Sequence, residues 1–359
     1  MRNRAHGLGG RWLCSYALAG LLAIGSVVRG DAWQTEPGQE AASSANTQDE
    51  ADAKSKPARP PIYDETADAA EQIQAALSKA GRENRRVLIQ WGGNWCGWCY
   101  RLHDIMREDP EIARTLMYEY DVVLVDIGRM DKNQELLEKY EVDLKQHGVP
   151  FITILDSAGH VVVQQETSSL EKDDMENPGH DREAVLSFLV KHKAEPWNAR
   201  NLLAEAVKRA EREEKLVFLH FGAPWCGWCH RLEAWLEKPD IKAAFQSHFV
   251  DLKVDTDRMP EGDALLNEYC KEPEGIPWFV FIDPRSQKVI ASSTGPKGNV
   301  GFPFEDFEID HFCTMLQACG ERFNEATIAE IRQSLIDNRQ AIQARPAQTA
   351  AGSATESGR

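Results

Sequence analysis

Between residues 62 and 340 the hydrophobic and polar positions follow one order of elements, and that order occurs twice. Apolar residues at helical spacing predict an amphipathic helix over 64–79 in the first round and over 198–213 in the second. Each leads into a short, almost continuously apolar run, 87–91 and 216–221. Such runs suit strands buried on both faces. A helix opens directly afterwards, and another starts near Pro110 or Pro239, where proline fits a first turn. A strand follows (122–126; 249–254), then a helix around 136–140 or 265–269. A hairpin (151–155 with 161–164; 278–282 with 289–291) and a closing helix complete each round. Strands alternating with helices predict α/β domains, each with a central sheet covered on both sides.

The two rounds are related residue by residue. VLIQWGGNWCGWCYRL from Val87 returns as VFLHFGAPWCGWCHRL from Val217, 130 positions later. Pro110, Asp126, Arg129, Met130 and Tyr140 recur 129 later as Pro239, Asp255, Arg258, Met259 and Tyr269. Gly148 and Pro150 recur 127 later as Gly275 and Pro277. A register held this long marks a duplicated domain, and the expected domains are 62–194 and 195–340.

Composition places the flanks. Residues 31–61 and 341–359 are small, polar and without apolar period, which predicts a disordered linker and tail. Residues 1–30 carry arginines ahead of an apolar stretch from Trp12 to Val28 and contain no acid. They read as a signal peptide, so the chain is expected to be exported, periplasmic or extracellular. An uncleaved segment anchoring it to a membrane is the alternative. Setting aside Arg2, Arg4, Arg11 and Arg29 takes the formal charge from −16 to −20. So acidic a chain is a poor partner for nucleic acid.

The chemistry lies in the two Cys-Gly-Trp-Cys segments. A first cysteine at a helix mouth, Cys96 or Cys226, sits where unpaired N–H groups and the helix dipole favour the thiolate. Cys99 and Cys229, one turn further in, are placed to attack back and resolve a mixed disulfide. A strand running into Trp-Cys-x-x-Cys, with Gly-Val-Pro or Gly-Ile-Pro some fifty residues on, resembles the thioredoxin family, once per copy. The resemblance implies two tandem thioredoxin-like domains, each a central mixed sheet flanked by helices. It also implies cis peptides at Pro150 and Pro277 against the dithiols, with Val149 and Ile276 offering backbone to an extended client strand. Trp98 and Trp228, between the cysteines, are expected to form an apolar docking surface. Trp95 and Trp225 serve either docking or packing.

The chain departs from the family twice. Tryptophan replaces the usual proline between the cysteines, and the position six before the first cysteine, often a buried Asp, is Gln90 or His220. Both changes bear on redox potential. If His220 points at Cys229, its imidazole can draw off the resolving thiol's proton, which Gln90 cannot do.

The expected activity is thiol–disulfide exchange, as a disulfide reductase or isomerase, on cysteine-containing exported proteins. It needs no metal or organic cofactor, and a separate redox partner recharges the dithiols. Two alternatives compete with it: a redox-inert client-binding module, and a c-type haem protein through Cys226-Gly-Trp-Cys229-His230. Cys270, Cys313 and Cys319 have no counterparts in the first copy and read as buried free thiols.

Overall fold

A computed structural model describes residues 59–271 and 275–344, all within one compact unit of the chain. The expected signal peptide at 1–30, nearly all of the linker and the end of the tail lie outside the described residues. The first round comprises α1 (Ala69–Glu83), β1 (Arg86–Gly92), α2 (Gly97–Glu108), α3 (Pro110–Glu119), β2 (Tyr120–Asp126), α4 (Gln134–Lys139), α5 (Leu144–His147), β3 (Phe151–Leu155), β4 (Val161–Glu166) and α6 (Arg182–His192). The second comprises α7 (Ala199–Glu213), β5 (Leu216–Gly222), α8 (Gly227–Leu236), α9 (Pro239–His248), β6 (Phe249–Asp255), α10 (Gly262–Tyr269), β7 (Trp278–Ile282), β8 (Val289–Ser292), β9 (Thr294–Gly295), β10 (Gly298–Asn299), α11 (Asp306–Gln317) and α12 (Glu325–Ala344).

Each round builds a four-stranded mixed sheet, in the order β2-β1-β3-β4 and β6-β5-β7-β8. The first pairing in each is parallel and the other two antiparallel. The central strands are buried on both faces because alternate side chains feed two cores. Val87, Ile89 and Trp91 join α1, while Leu88 joins α2, α3 and α6. In the second sheet Val217, Leu219 and Phe221 join α7, and Phe218 enters a larger aromatic core with Trp235, Phe245, Phe281 and Phe312. By this alternation Gln90 and His220 fall on the sheet face that carries the dithiol helices.

Two expectations are corrected. The first helix begins at Ala69, not 64, because Asp68 caps it by accepting from Glu71 N, while Asp64 closes a local turn on Thr66. The last helix runs to Ala344, past the expected limit of 340.

The two rounds are joined through Arg258. Its buried guanidinium donates to Glu119 at 2.9 Å and to the carbonyls of Glu83 at 3.1 Å and Asn84 at 2.8 Å. Those carbonyls end α1, where a helix leaves acceptors without internal partners. A cation from the second domain thus caps a helix of the first. Lys253 adds a pair to Glu83 at 3.3 Å, and Tyr118 donates to Asp257 at 2.5 Å.

Candidate active site

Each dithiol stands where a buried central strand ends and a helix begins. Cys96 is the N-cap of α2, its sulfur accepting from Cys99 N at 3.0 Å; Cys226 caps α8 from Cys229 N at 3.1 Å. The sulfur meets an N–H of the first helical turn, which in α2 is shared with Cys96 O at 3.1 Å, and lies at the helix's positive end. In the reduced chain that setting favours the thiolate. Both pairs are disulfides here, with S–S distances of 2.17 and 2.08 Å. Cys99 and Cys229 are buried, as their position in the helix predicts, but Cys96 and Cys226 are also only 6% and 4% exposed. Tyr63, Trp98 and Val149 crowd the first pair, so the way to Cys96 is narrow.

The Val149–Pro150 and Ile276–Pro277 peptides are cis. Val149 O lies 3.8 Å from Cys96 Sγ and Ile276 O 3.5 Å from Cys226 Sγ, which brings all the expected backbone positions to their dithiols. The proline carbonyls are held from behind. Thr167 Oγ1 donates to Pro150 O at 2.7 Å, and Asn299 Nδ2 donates to Pro277 O at 3.0 Å. Neither residue belongs to a motif, so sequence reasoning missed both.

The indoles within the motifs are stacked alike. The Arg101 guanidinium lies 4.6 Å over Trp98, and His180 meets that ring edge-on at 5.6 Å. Arg231 lies 4.4 Å over Trp228, and Phe304 meets it at 5.6 Å. His180 and Phe304 each stand two residues before the closing helix, so they occupy one structural position. His180 is buried with neither ring nitrogen hydrogen-bonded. Burial, helped by Arg101, lowers its pKa to about 4. Trp95 and Trp225 are well exposed, each tied by its ring N–H: Trp95 to Gly128 O at 2.5 Å, Trp225 to Asp257 at 2.8 Å.

Gln90 and His220 occupy equivalent strand positions but face different company. Gln90 Nε2 donates to Tyr63 Oη at 2.7 Å, behind Cys99. His220 Nε2 lies 3.1 Å from Asp251 Oδ1, out of hydrogen-bond alignment, and no hydrogen bond joins the ring to Cys229. In the disulfide Cys229 carries no proton, so the expected route through His220 belongs to the reduced chain. Tyr63 was missed because it lies in an irregular stretch ahead of the first helix.

The remaining thiols are apart from this chemistry. Cys270, Cys313 and Cys319 are free and buried, and burial raises the Cys313 pKa and pushes Cys319 up to about 12, so both stay protonated. His230, the last residue of the haem-like signature, is exposed and engages Pro224 O at 2.7 Å. Among the described residues no group of three or more His, Cys, Asp or Glu could hold a metal ion, and no helix is long and apolar enough to cross a membrane.

A family model described as thioredoxin-like matches residues 68–157, and one described as "Protein of unknown function, DUF255" matches residues 180–342. Thioredoxin-1 of Drosophila melanogaster is 34% identical over 89 residues, which cover 24% of this chain and 75% of that protein. The chain belongs to the thioredoxin-like superfamily. It carries two thioredoxin-like domains in tandem, each with its CxxC pair at disulfide distance. Protein disulfide-isomerase erp38 of Neurospora crassa is 26% identical over 209 residues, covering 56% of this chain and 51% of that one. A solved disulphide isomerase from Xylella fastidiosa is 28% identical, covers 37% of this chain and 98% of its own, and superposes with a TM-score of 0.33. The thioredoxin-like tandem spans between 15% and 51% of the length of the first curated relatives it matches.

Proposed function

We propose that the chain is a thiol–disulfide oxidoreductase, a reductase or isomerase of disulfides in exported proteins, working through both CGWC sites. The observation that carries this is that Cys96 and Cys226 each cap a helix beside the carbonyl of the residue before Pro150 or Pro277. Protein disulfide-isomerases among the relatives support the same class. In the reduced chain the Cys96 or Cys226 thiolate attacks a client disulfide, forming a mixed disulfide and releasing one client sulfur as a thiolate. Cys99 or Cys229 then attacks the first cysteine's sulfur and expels the second client sulfur. The client gains two electrons and two protons, and the chain is left with the disulfide it has here. A partner dithiol, oxidised in turn, restores it.

Val149 and Ile276 present backbone for a client strand, and the exposed edges of Trp98 and Trp228 give it an apolar seat. The clients' location in an exported compartment rests on the sequence of residues 1–30. Insulin reduction driven by dithiothreitol tests the reading. Activity is expected to fall in steps in Cys96→Ala, Cys226→Ala and the double variant; full activity in the double variant refutes it.

A further inference from the structure

Resolution at the first site requires Cys99, wholly buried, to become an anion. Gln90 stands where a proton acceptor is often found, yet its amide accepts no proton near neutral pH. What the structure places there instead is a phenol. Tyr63 Oη and Cys99 Sγ share one small space: a methyl carbon built on Gly92 would collide with both, meeting the sulfur at 2.6 Å. Gln90 Nε2 donates to Tyr63 Oη at 2.7 Å, so that oxygen is already engaged as acceptor. The phenol's own proton goes to no oxygen or nitrogen among the described residues. In the disulfide form no hydrogen bond joins hydroxyl and sulfur, as befits a weak acceptor. Ionised, the same sulfur becomes a strong one.

The phenol is also held in place. Ile62 N and Tyr63 N both donate to Asn94 Oδ1, at 2.9 and 3.0 Å, and Asn94 Nδ2 donates back to Tyr63 O at 3.0 Å. Tyr100 Oη donates to Pro60 O at 3.1 Å. Both anchors belong to the first copy alone, since Asn94 and Tyr100 are matched by Pro224 and His230 in the second. The position 130 beyond Tyr63 is Lys193, which follows α6.

We infer that the Tyr63 hydroxyl, oriented by Gln90, donates a hydrogen bond to the Cys99 thiolate and so promotes resolution at the first site, a device the second site lacks. The inference rests on the proposed thiol–disulfide exchange. Tyr63 keeps its proton throughout: burial raises its pKa well above the ordinary phenol value. The proton lost by Cys99 passes to water, and the departing client thiolate takes one from water. The other ionisable groups about the pair are Cys96 at the N-cap of α2, Tyr100 on α2 and Asp126 on β2, whose charge is met by Lys132 at 2.8 Å.

The test uses the full chain with Cys14→Ser, Cys226→Ala and Cys229→Ala, reduced and mixed in stopped flow with a nitrobenzoate disulfide. Attack by Cys96 frees one coloured thionitrobenzoate, and attack by Cys99 frees a second. Tyr63→Phe is expected to slow the second release about tenfold or more near pH 7, the effect of losing a hydrogen bond to a charged group. The midpoint of its pH profile should move up by about one unit, with the two chains' rates converging in alkali, where the thiol ionises unaided. A packing role alone would slow release at every pH and leave the midpoint in place. An unmoved midpoint overturns the inference while the exchange reading stands. Absence of a second release from the chain that retains Tyr63 overturns both.

Discussion

Replacing His180 by Phe gives the first site the partner that the second already has, Phe304 against Trp228, and should change how folding responds to acid. The imidazole is buried, without hydrogen bonds, and its pKa is lowered to about 4 from the ordinary 6.5. As pH falls below 6.5 the unfolded chain binds a proton that the folded chain refuses, so stability drops with falling pH until the folded form protonates near pH 4. At pH 5 the difference amounts to about 2 kcal/mol relative to neutral pH. Carboxylates add their own acid sensitivity, but they do so equally in both chains. Urea unfolding at pH 7.5 and 5, followed by hydrogen exchange in peptides from β1 to β3, should show the wild type losing about 2 kcal/mol more than His180→Phe over that interval. Equal losses in the two chains would refute the assignment of a neutral, desolvated imidazole beside Trp98.

Three further outcomes are expected. Gly92→Ala should cost about 2–3 kcal/mol in urea unfolding, because the added carbon strikes Tyr63 and Cys99, while Gly222→Ala, whose nearest neighbour is Cys229 Sγ at 3.2 Å, should cost under about 1 kcal/mol. Arg258→Leu leaves buried Glu119 with Lys193 alone, 3.8 Å away, and the carbonyls ending α1 without their donor; a loss of about 3 kcal/mol is expected, with calorimetry resolving one transition into two. Partial burial raises the Asp257 pKa, but hydrogen bonds from Tyr118 and Trp225 hold it below the usual carboxylate range. Tyr118→Phe should therefore raise it, shifting the acid titration of Trp225 fluorescence upward.

Much of the fold was legible because buried parallel strands and capped helices leave strong local patterns. The run 216–221 anticipates β5, and Asn198 caps α7 at the expected place, accepting from Arg200 N and Asn201 N. The dithiols and the residues before the prolines were legible because their spacing is itself the chemistry. What escaped depends on distance along the chain. Tyr63 reaches Gln90 across 27 residues, Thr167 reaches Pro150 across 17, and His180 reaches a tryptophan from a loop with no period of its own. The start of the first helix escaped for a local reason: apolar spacing does not register the turn that Asp64 makes on Thr66, and the helix begins only after Asp68, which caps it. For His220 the sheet face was legible, but its nearest carboxylate, Asp251 at 3.1 Å, sits on a neighbouring strand.

The joint at Arg258 also bears on the order of the two halves. Its counterpart by the repeat, Arg129, lies 5.5 Å over the ring of Trp95 and stays within its own domain. One ancestral position has become an ornament of the site in one copy and a plug in the other. A permuted chain, with the second half synthesised ahead of the first, would keep both dithiols but would have to thread the same plug into the same seat from the opposite side of a new linker. Half-molecules are poorer substitutes still, since one would carry an empty seat and the other a stranded cation. Sequence identity between the halves thus overstates how interchangeable they are: the tandem has a fixed polarity, with the first half as socket and the second as key.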